Sequence, residues 1–335
     1  MNKASILTMM LCVSAHISAD PLFEADDSLK LTFTAPFSQI YKVRDKTKQY
    51  PARLLWDESR EIAVGLQVRG NNRLKKSTCR YPPLKVYFNK EDVKGSIFKK
   101  QSELKLVVAC KKKYSQYVRM EYLIYKLFAS LSDNNFKVRW LELTFIDNNK
   151  ARTSPGFFIE QKKRMGKRLG LTQVHASKVP PENLDPQSAV TVDLFQFMIG
   201  NTDYSNFQAR GTKDCCHNTK LMQRIENESG TYIPIPYDFD NSGIINAEYA
   251  VPSPSIPISS VTKRNYRGLC QANPHIPDVI MLIQTKKEEI LNLFAGDNLL
   301  TKRSKSRAKK YLEKFYAIID SPKKMNSAIT KACRT

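Results

Sequence analysis

Two aspartates one residue apart are the first residues of this chain whose types and spacing could do chemistry. Asp238 and Asp240 flank Phe239 in the segment YDFDNSG, at the end of a predicted strand. Carboxylate oxygens this close together can bind a divalent cation such as Mg²⁺ or Mn²⁺. The alternative is an ordinary turn, because Asp, Asn and Gly are common in turns. We expect a cation site, with Gly243 allowing the chain to turn sharply after it.

A third aspartate and an asparagine precede this segment in an order that suits phosphoryl transfer. A predicted buried helix, AVTVDLFQFMIG, ends at a loop that carries Asp203, and Asn218 comes directly before the next strand. In phosphoryl transfer one carboxylate orients the attacking hydroxyl, while amide and carboxylate oxygens hold Mg²⁺ against the phosphates. Asn206 is a rival for Asn218 as a metal ligand. The structural alternative for each residue is a helix cap or an Asx turn.

A lysine and a glutamate upstream could form an ion pair that holds phosphates. Lys105 lies inside the apolar strand ELKLVVAC, where a buried ammonium group needs a partner. Glu121 lies on the following helix, on the same face as Ile124 and Phe128, so its carboxylate should point inward. The alternative makes Lys105 an edge-strand lysine and Glu121 a boundary residue. Lys85, in the strand PLKVYF, competes with Lys105 for the phosphate role.

The elements that would position these residues fall into two halves that meet near residue 162. The first half alternates in the way typical of strands and contains one helix of period 3.6. Its strands are predicted at 29–35, 61–70, 83–88, 103–110, 137–147 and 156–161, and its helix at about 117–132. The second half is mainly helical. It has helices at about 189–200, 276–295 and 299–320, and a short strand pair at 220–225 and 231–239.

The N-terminal segment has the layout of a secretory signal peptide. Lys3 precedes an apolar stretch that is too short to span a bilayer, and small residues follow up to Ala19. Cleavage after Ala19 would export the chain, to a periplasm or to the exterior. No later segment approaches the length of a transmembrane helix, and cysteines in an exported chain favour disulfides. Six of the seven cysteines lie beyond residue 19.

The cysteine spacing leaves several pairings open. A bond from Cys215 or Cys216 to Cys270 is our first expectation, and a bond between Cys79 and Cys110 is the second. A zinc site built from Cys215, Cys216, His217 and Cys270 is the alternative, although adjacent cysteines are poor joint ligands. The chain contains only 4 histidines, which disfavours histidine-rich hydrolytic metal sites.

The charge of the chain is strongly positive. The sequence has 54 Lys and Arg against 32 Asp and Glu, a formal net charge of +22. Such a chain attracts polyanions, including nucleotide phosphates, anionic surfaces and acidic proteins. The alternative is a well-solvated basic surface. No nucleic-acid-binding motif accompanies the charge.

Four segments together resemble a known superfamily. They are VRGNN (68–72), FQFMIGNTD (195–203), HN (217–218) and IPYDFDNSG (235–243). These segments are similar to the protein-kinase-like superfamily in its atypical bacterial branch, the CotH-type kinases and, more distantly, the HipA-like kinases. They are also similar to a group of exported bacterial proteins that share the GNTD and YDFDxSG segments. The loop after VRGNN has a single glycine, so the resemblance is most specific in its last two segments.

The resemblance implies an α+β, two-lobed kinase-like fold, with a β-rich N-lobe over 22–161 and a mainly helical C-lobe over 162–335. It implies an exported, Mg²⁺- or Mn²⁺-dependent phosphotransferase that moves a phosphoryl group from ATP to a protein or small-molecule acceptor. The alternative is a catalytically degenerate kinase-like fold that binds an anionic surface or partner. By the resemblance, the roles are Asp203 as catalytic aspartate, Asn218, Asp238 and Asp240 as metal ligands, Lys105 (or Lys85) with Glu121 at the α- and β-phosphates, and Glu160 where the lobes join, near adenine.

Overall fold

A computed structural model describes residues 20–335 apart from 58, 210–213, 227–229 and 254–255. The predicted signal peptide, 1–19, lies outside the described residues. Within them, no helix is both long enough and apolar enough to cross a membrane.

Seven strands of the first half close into a barrel. They are β1 (Leu29–Thr34), β2 (Tyr50–Trp56), β3 (Arg60–Val68), β4 (Leu84–Phe88), β5 (Glu103–Val108), β6 (Val138–Asp147) and β7 (Lys150–Ile159). Their order is β1-β2-β3-β4-β5-β7-β6, and β6 closes the barrel by pairing in parallel with β1. The other neighbouring strands are antiparallel. The predicted strands are confirmed, and β2 is an addition that Pro51 conceals in the sequence.

The barrel encloses its own core because apolar residues alternate along its strands. In β3 the buried residues are Ile62, Val64, Leu66 and Val68, with more exposed residues between them. The outward-facing residues therefore include every second position of β4 and β5. Lys85 and Lys105 are directly paired across these two strands and project from the outer face.

Two α-helices lie in the described part of the first half, and the second of them links it to the rest of the chain. They are α1 (Phe37–Val43) and α2 (Ser115–Leu131). The predicted helix at 117–132 is thus confirmed as α2. It packs outside the barrel, against β7 on one side and against helices of the second half on the other. Its buried side chains share one apolar cluster with those later helices, so the two halves meet through a common core.

The second half is mainly helical, as the sequence predicts. Its helices are α3 (Lys162–Leu169), α4 (Pro186–Ile199), α5 (Ile276–Thr285), α6 (Lys287–Ala295), α7 (Lys302–Ile319) and α8 (Pro322–Met325), followed by a π-helical turn (Asn326–Thr330). A three-stranded sheet has the order β10-β9-β8, with β8 (Leu171–Gln173), β9 (Thr219–Arg224) and β10 (Ile233–Pro236). Short 3₁₀ helices lie at Pro21–Phe23, Asn72–Leu74, Lys112–Tyr114, Pro181–Asn183 and Cys270–His275.

One predicted helix divides in two. The stretch at 276–295 forms α5 and α6, which are separated at Lys286. The Lys286 N–H still bonds to the carbonyl of Leu282, but its backbone has left helical geometry at ψ 4°. The amphipathic pattern runs through the break because both helices turn apolar residues toward the same core. Periodicity alone therefore cannot reveal it.

The central helix α4 is bounded by strong local signals. Asp185 caps its N-terminus by accepting a 2.8 Å hydrogen bond from the Ser188 N–H, and Pro186 occupies the first turn. Gly200 ends it in the left-handed conformation at φ 67°. Nearly all its other side chains are buried, as expected for a helix that is apolar all round.

Disulfides join Cys79 to Cys110, Cys215 to Cys216 and Cys270 to Cys333. The expected bond between Cys79 and Cys110 is confirmed. The expected bond from Cys215 or Cys216 to Cys270 is wrong, because the adjacent cysteines bond to each other and Cys270 bonds near the C-terminus. The zinc alternative is wrong for the same reason, since its thiols are consumed.

The chain is therefore a mixed α+β protein with a β-rich first half and a helical second half. The closed barrel is a feature that the sequence analysis does not predict, because edge pairing between β1 and β6 leaves no local signal.

Candidate functional site

The GNTD and DFDNSG loops lie side by side. The Gly243 N–H donates to the carbonyl of Gly200 at 3.0 Å, and the Ile244 N–H donates to that of Ile199 at 3.0 Å. The hydroxyl of Tyr311, on α7, packs directly against both glycines, so a side chain at either position would collide with it. Gly243 is thus required for close approach, whereas the sequence analysis expected it to serve a sharp turn.

A buried phenylalanine fixes the two aspartates of the DFD segment. Phe239 is fully buried, with ring centroids 4.7 Å from Tyr125 of α2 and 5.3 Å from Phe195 of α4. The Asp238 N–H donates to the Tyr125 hydroxyl at 3.0 Å, and Asp238 has φ 66°. Helices α2 and α4 therefore fix the DFD segment through the Phe239 ring and the Asp238 N–H.

Asp203 forms hydrogen bonds with Asn201, His217 and Asn218. Its Oδ1 lies 2.8 Å from Nε2 of His217. The Asn218 side-chain amide donates to the Asp203 carbonyl at 2.6 Å and to its Oδ2 at 3.2 Å. The Asp203 N–H donates to Oδ1 of Asn201 at 3.0 Å. The carboxylate is thereby fixed in orientation while its side chain keeps 21% exposure, which leaves it within reach of a ligand.

Arg73 pairs with both aspartates of the DFD segment. Its Nε lies 3.2 Å from Oδ2 of Asp240, and its Nη2 lies 3.7 Å from Oδ1 of Asp238. The arginine side chain is only 10% exposed. Burial raises the pKa of Asp240. Arg73 opposes this rise, and the negative charges of Asp238 and Asp203 reinforce it. A buried guanidinium therefore supplies the positive charge that these carboxylates need.

Glu121 points inward, as predicted, but does not pair with Lys105. It is 2% exposed and its Oε1 has no hydrogen-bond partner among the described residues. Burial raises its pKa to about 8; Asp240 adds to this effect and Arg73 opposes it. The predicted pair with Lys105 is wrong, because Arg69 and Arg73 extend from the loop after β3 and supply the positive charges near Glu121.

Lys105 instead belongs to a cluster of cations around Tyr237. The ammonium groups of Lys105 and Lys220 lie 4.5 Å and 4.8 Å from the centroid of the Tyr237 ring. Burial lowers the pKa of Lys105 to about 7, and Arg69 and Lys220 lower it further against the opposing effect of Asp238. Arg69 is half-buried, and its buried Nη1 lacks a hydrogen-bond partner among the described residues. These cations are crowded, and a bound anion would relieve their repulsion.

The remaining predicted residues have partners of their own. Lys85 projects beside Lys105 and pairs with Glu103 at 3.1 Å. Glu160 lies between β7 and α3, where the two halves of the chain join. Its carboxylate accepts hydrogen bonds from Arg168 at 2.7 Å and 3.0 Å and from the Lys137 N–H at 3.0 Å. Asn206 donates to Asp193 at 2.9 Å, away from Asp203.

The donor chemistry suits Mg²⁺, but the present arrangement suits an arginine. Asp238, Asp240 and Asn218 offer the hard oxygen ligands that Mg²⁺ prefers. Across the described part of the chain, no three or more His, Cys, Asp or Glu residues are grouped as metal ligands. Arg73 lies between the two aspartates, so a divalent cation would bind them only after the guanidinium withdrew.

The sequence does not reveal that Arg69, Arg73 and Lys220 belong to the site. Arg69 belongs to the VRGNN segment and Arg73 follows it directly, but arginine in a loop has no distinguishing pattern in so basic a chain. His217 is adjacent to Asn218 and shows no sign in the sequence of its contact with Asp203. Only the packing of the first half on the second half brings these side chains together.

Neither a comparison with protein-family models nor a search of curated protein sequences finds a match to this chain.

Proposed function

We propose that this protein is a kinase-like phosphotransferase that binds a nucleoside triphosphate such as ATP between its β-rich and helical halves. The observation that carries the proposal is the cluster of Lys105, Arg69 and Lys220 around Tyr237. Cations from both halves converge there next to Asp238. A triphosphate would add negative charge beside these cations, and Lys105 would take the phosphate role expected from the sequence.

Asp203 is proposed as the base that accepts the proton of the acceptor hydroxyl. His217 and Asn218 hold its two carboxylate oxygens, so its orientation is fixed before the substrates bind. Such positioned proton acceptors contribute about 10²- to 10⁴-fold to a rate. Lys105 and Arg69 would neutralise charge on the phosphates during transfer.

Mg²⁺ or Mn²⁺ is proposed as the accompanying ion, with Asp238, Asp240 and Asn218 as the residues that would hold it. The ion would supply charge neutralisation at the phosphates. Its binding requires Arg73 to leave the two carboxylates, so we infer that Arg73 and the metal compete for one position.

Export is part of the same proposal. The predicted signal peptide and the three disulfides both favour an oxidising compartment. The chain would then meet its nucleotide outside the bacterial cytoplasm, or use another phosphorylated donor of the same charge.

Calorimetric titration of ATP with and without Mg²⁺ or Mn²⁺ tests the proposal, followed by a phosphoryl-transfer assay. We expect Asp203→Asn to bind ATP normally and to lose transfer by about 10²-fold or more. Asp238→Asn should lose the metal dependence of binding. The control Asp92→Asn removes one exposed carboxylate from the surface and should change neither result. Full transfer activity in Asp203→Asn would refute the assignment.

A second candidate is a catalytically degenerate kinase-like fold that binds an anionic surface or partner. The pairing of Arg73 with Asp238 and Asp240 favours it, because those carboxylates are already neutralised. Salt separates the two functions. Binding to an anionic surface should weaken steeply as salt rises, whereas nucleotide binding should depend chiefly on the divalent ion.

A further inference from the structure

A cavity lies beside the loop that carries Asp203 and is lined by the two chain neighbours of Asp203 and by His217. Its volume is about 240 Å³, and its lining includes Thr202, Ser205, His217, Ser253, Arg267 and Arg334. Among the described residues that line it, none is Asp or Glu. The cavity therefore combines two guanidinium groups with hydroxyl groups and a histidine, and its electrostatic character is cationic.

The two arginines are held in place by hydrogen bonds to backbone carbonyl groups. Arg267 Nη1 donates to the carbonyl of Thr202 at 2.9 Å, and Arg334 Nε donates to the carbonyl of Arg267 at 2.7 Å. Backbone hydrogen bonds of 2.9 Å join Arg334 to Gly268 and Cys270, and the disulfide from Cys270 to Cys333 links the same two segments. The last residues of the chain are thus fastened beside the loop that carries Asp203.

Arg267 keeps one unused hydrogen-bond donor, because its Nε is buried and has no partner among the described residues. The nearby carboxylate of Asp193 is occupied by the Tyr204 hydroxyl at 2.8 Å and the Asn206 amide at 2.9 Å. Burial lowers the pKa of Arg267, and the like charge of Arg334 adds to this effect, whereas Tyr204, Asp193 and Asp203 oppose it. Two close guanidinium groups of this kind suit the oxygens of a carboxylate or a phosphate.

We propose that this cavity binds the acceptor of phosphoryl transfer through an oxyanion, and that the acceptor is a small hydroxylated carboxylate or phosphate ester. The oxyanion would lie against Arg267 and Arg334. A hydroxyl group on the same molecule would extend past Thr202 and His217 toward Asp203. A volume of about 240 Å³ fits a small molecule rather than a protein surface. The binding of the oxyanion stands by itself, whereas its role as acceptor rests on the proposed function.

In the proposed transfer, one bond to the γ-phosphorus forms as another breaks. The acceptor oxygen forms a bond to the γ-phosphorus of the nucleoside triphosphate as the bond between that phosphorus and the β,γ-bridging oxygen breaks. The proton of the acceptor hydroxyl passes to Asp203, and the nucleoside diphosphate leaves with the bridging oxygen and its electron pair. His217 keeps Asp203 oriented and acts as a positioning residue.

Titration of inorganic phosphate and of malate into the full chain, without nucleotide, tests the site and separates phosphate from carboxylate recognition. We expect at least one of the two to bind, and Arg334→Gln and Arg267→Gln to weaken that binding by tenfold or more. Arg303→Gln removes the same charge from the exposed face of α7 and should leave the binding unchanged. Lys105→Met is measured alongside, because it reports whether the same anion binds at the nucleotide cluster instead.

Three outcomes would overturn the site. The first is that neither anion binds to the full chain. The second is an equal loss of anion binding in Arg334→Gln and Arg303→Gln. The third is a loss of anion binding confined to Lys105→Met, which would place the anion at the nucleotide cluster. Chemical modification of the unaltered protein provides a test that does not depend on whether the variants fold. Phosphate or malate should protect Arg334, but not Arg303, from phenylglyoxal, and equal protection of both would contradict the site. Anion binding here without any binding of ATP would refute the proposed function alone.

Discussion

Arg73 and Asp240 form a buried ion pair, with Nε of the arginine 3.2 Å from Oδ2 of the aspartate. The same guanidinium lies 3.7 Å from Asp238, and it lowers the pKa of Glu121 against the stronger effect of burial. Arg73 thus pairs with both aspartates, and Arg69 adds a second positive charge near Asp238 and Glu121. The three acidic side chains therefore depend on nearby cations, and Arg73 contacts two of the three.

Arg73→Met should destabilise the protein strongly. The change leaves Asp238, Asp240 and Glu121 without their shared counter-ion, and breaking a buried ion pair costs about 3–5 kcal/mol. Denaturant unfolding should show this loss in metal-free buffer. Mg²⁺ or Mn²⁺ should restore part of the stability of the variant and change the unaltered protein less, because arginine and metal compete for one position.

Arg53→Met is the matched control for Arg73. Arg53 pairs with Glu61 at 3.2 Å on the surface, where both side chains are well exposed. Exposed pairs of this kind contribute about 0–1 kcal/mol. Equal losses of stability in the two variants would show that Arg73 does not carry the charge balance of the site.

Glu121→Gln should make stability less dependent on pH. The folded-state pKa of Glu121 is raised from its ordinary value of 4.5 to about 8, so the folded protein binds more protons than the unfolded chain between those values. Stability therefore falls as pH rises through this window, by about 1.4 kcal/mol per pKa unit at most. The glutamine variant should lose much of this fall and be more stable than the unaltered protein near about pH 8.

The free energy of unfolding measured at several pH values from about 5 to 9 checks this expectation. Glu61→Gln, on the exposed surface of β3, serves as the control and should follow the pH dependence of the unaltered protein. The buried Asp240 should preserve a smaller fall with pH in Glu121→Gln, because its pKa is raised in the same direction. If Glu121→Gln shows the same pH profile as the unaltered protein, the raised pKa of the buried Glu121 carboxyl group is refuted.

The elements of this fold could be predicted where the local signal was strong. The period of α2 placed Glu121 on the inward face, and the apolar helix α4 placed Asp203 at the start of a loop. The break at Lys286 and the pairing of β1 with β6 depend on contacts between residues distant in sequence, so no local pattern reveals them. The same limit applies to the site. Its acidic residues stand out in a basic chain, whereas Arg69 and Arg73 resemble every other surface arginine until the fold brings them to Asp238.

The disulfide between Cys270 and Cys333 should stabilise the second half of the chain. It closes a segment with a sequence separation of 63, and the chain-entropy model gives about 4 kcal/mol for a loop of that size. The double variant Cys270→Ser, Cys333→Ser should lose about 2–4 kcal/mol and should release Arg334 from its position. Mass spectrometry of non-reduced digests should find the linked peptides of Cys270 with Cys333 and of Cys79 with Cys110. A peptide that links Cys216 to Cys270 would contradict this connectivity.

Nucleotide binding should depend on pH through the Lys105 ammonium group. The pKa of Lys105 is lowered to about 7, so its ammonium charge is lost in the free protein as pH rises through that value. ATP binding should therefore be tightest below about pH 7 and weaken above it, because the charged form is the one that attracts phosphate. Lys105→Met should weaken binding by about tenfold or more below that pH, a loss typical of a hydrogen bond to a charged group, and should remove most of this pH dependence. Lys105→Arg should bind with little pH dependence, because arginine stays charged.

Lys85→Met is the control, since Lys85 is paired with Lys105 across β4 and β5 but is already engaged by Glu103. A larger loss in Lys85→Met than in Lys105→Met would transfer the phosphate role to Lys85. Equal, pH-independent binding in all of these variants would remove the cation cluster from the nucleotide site.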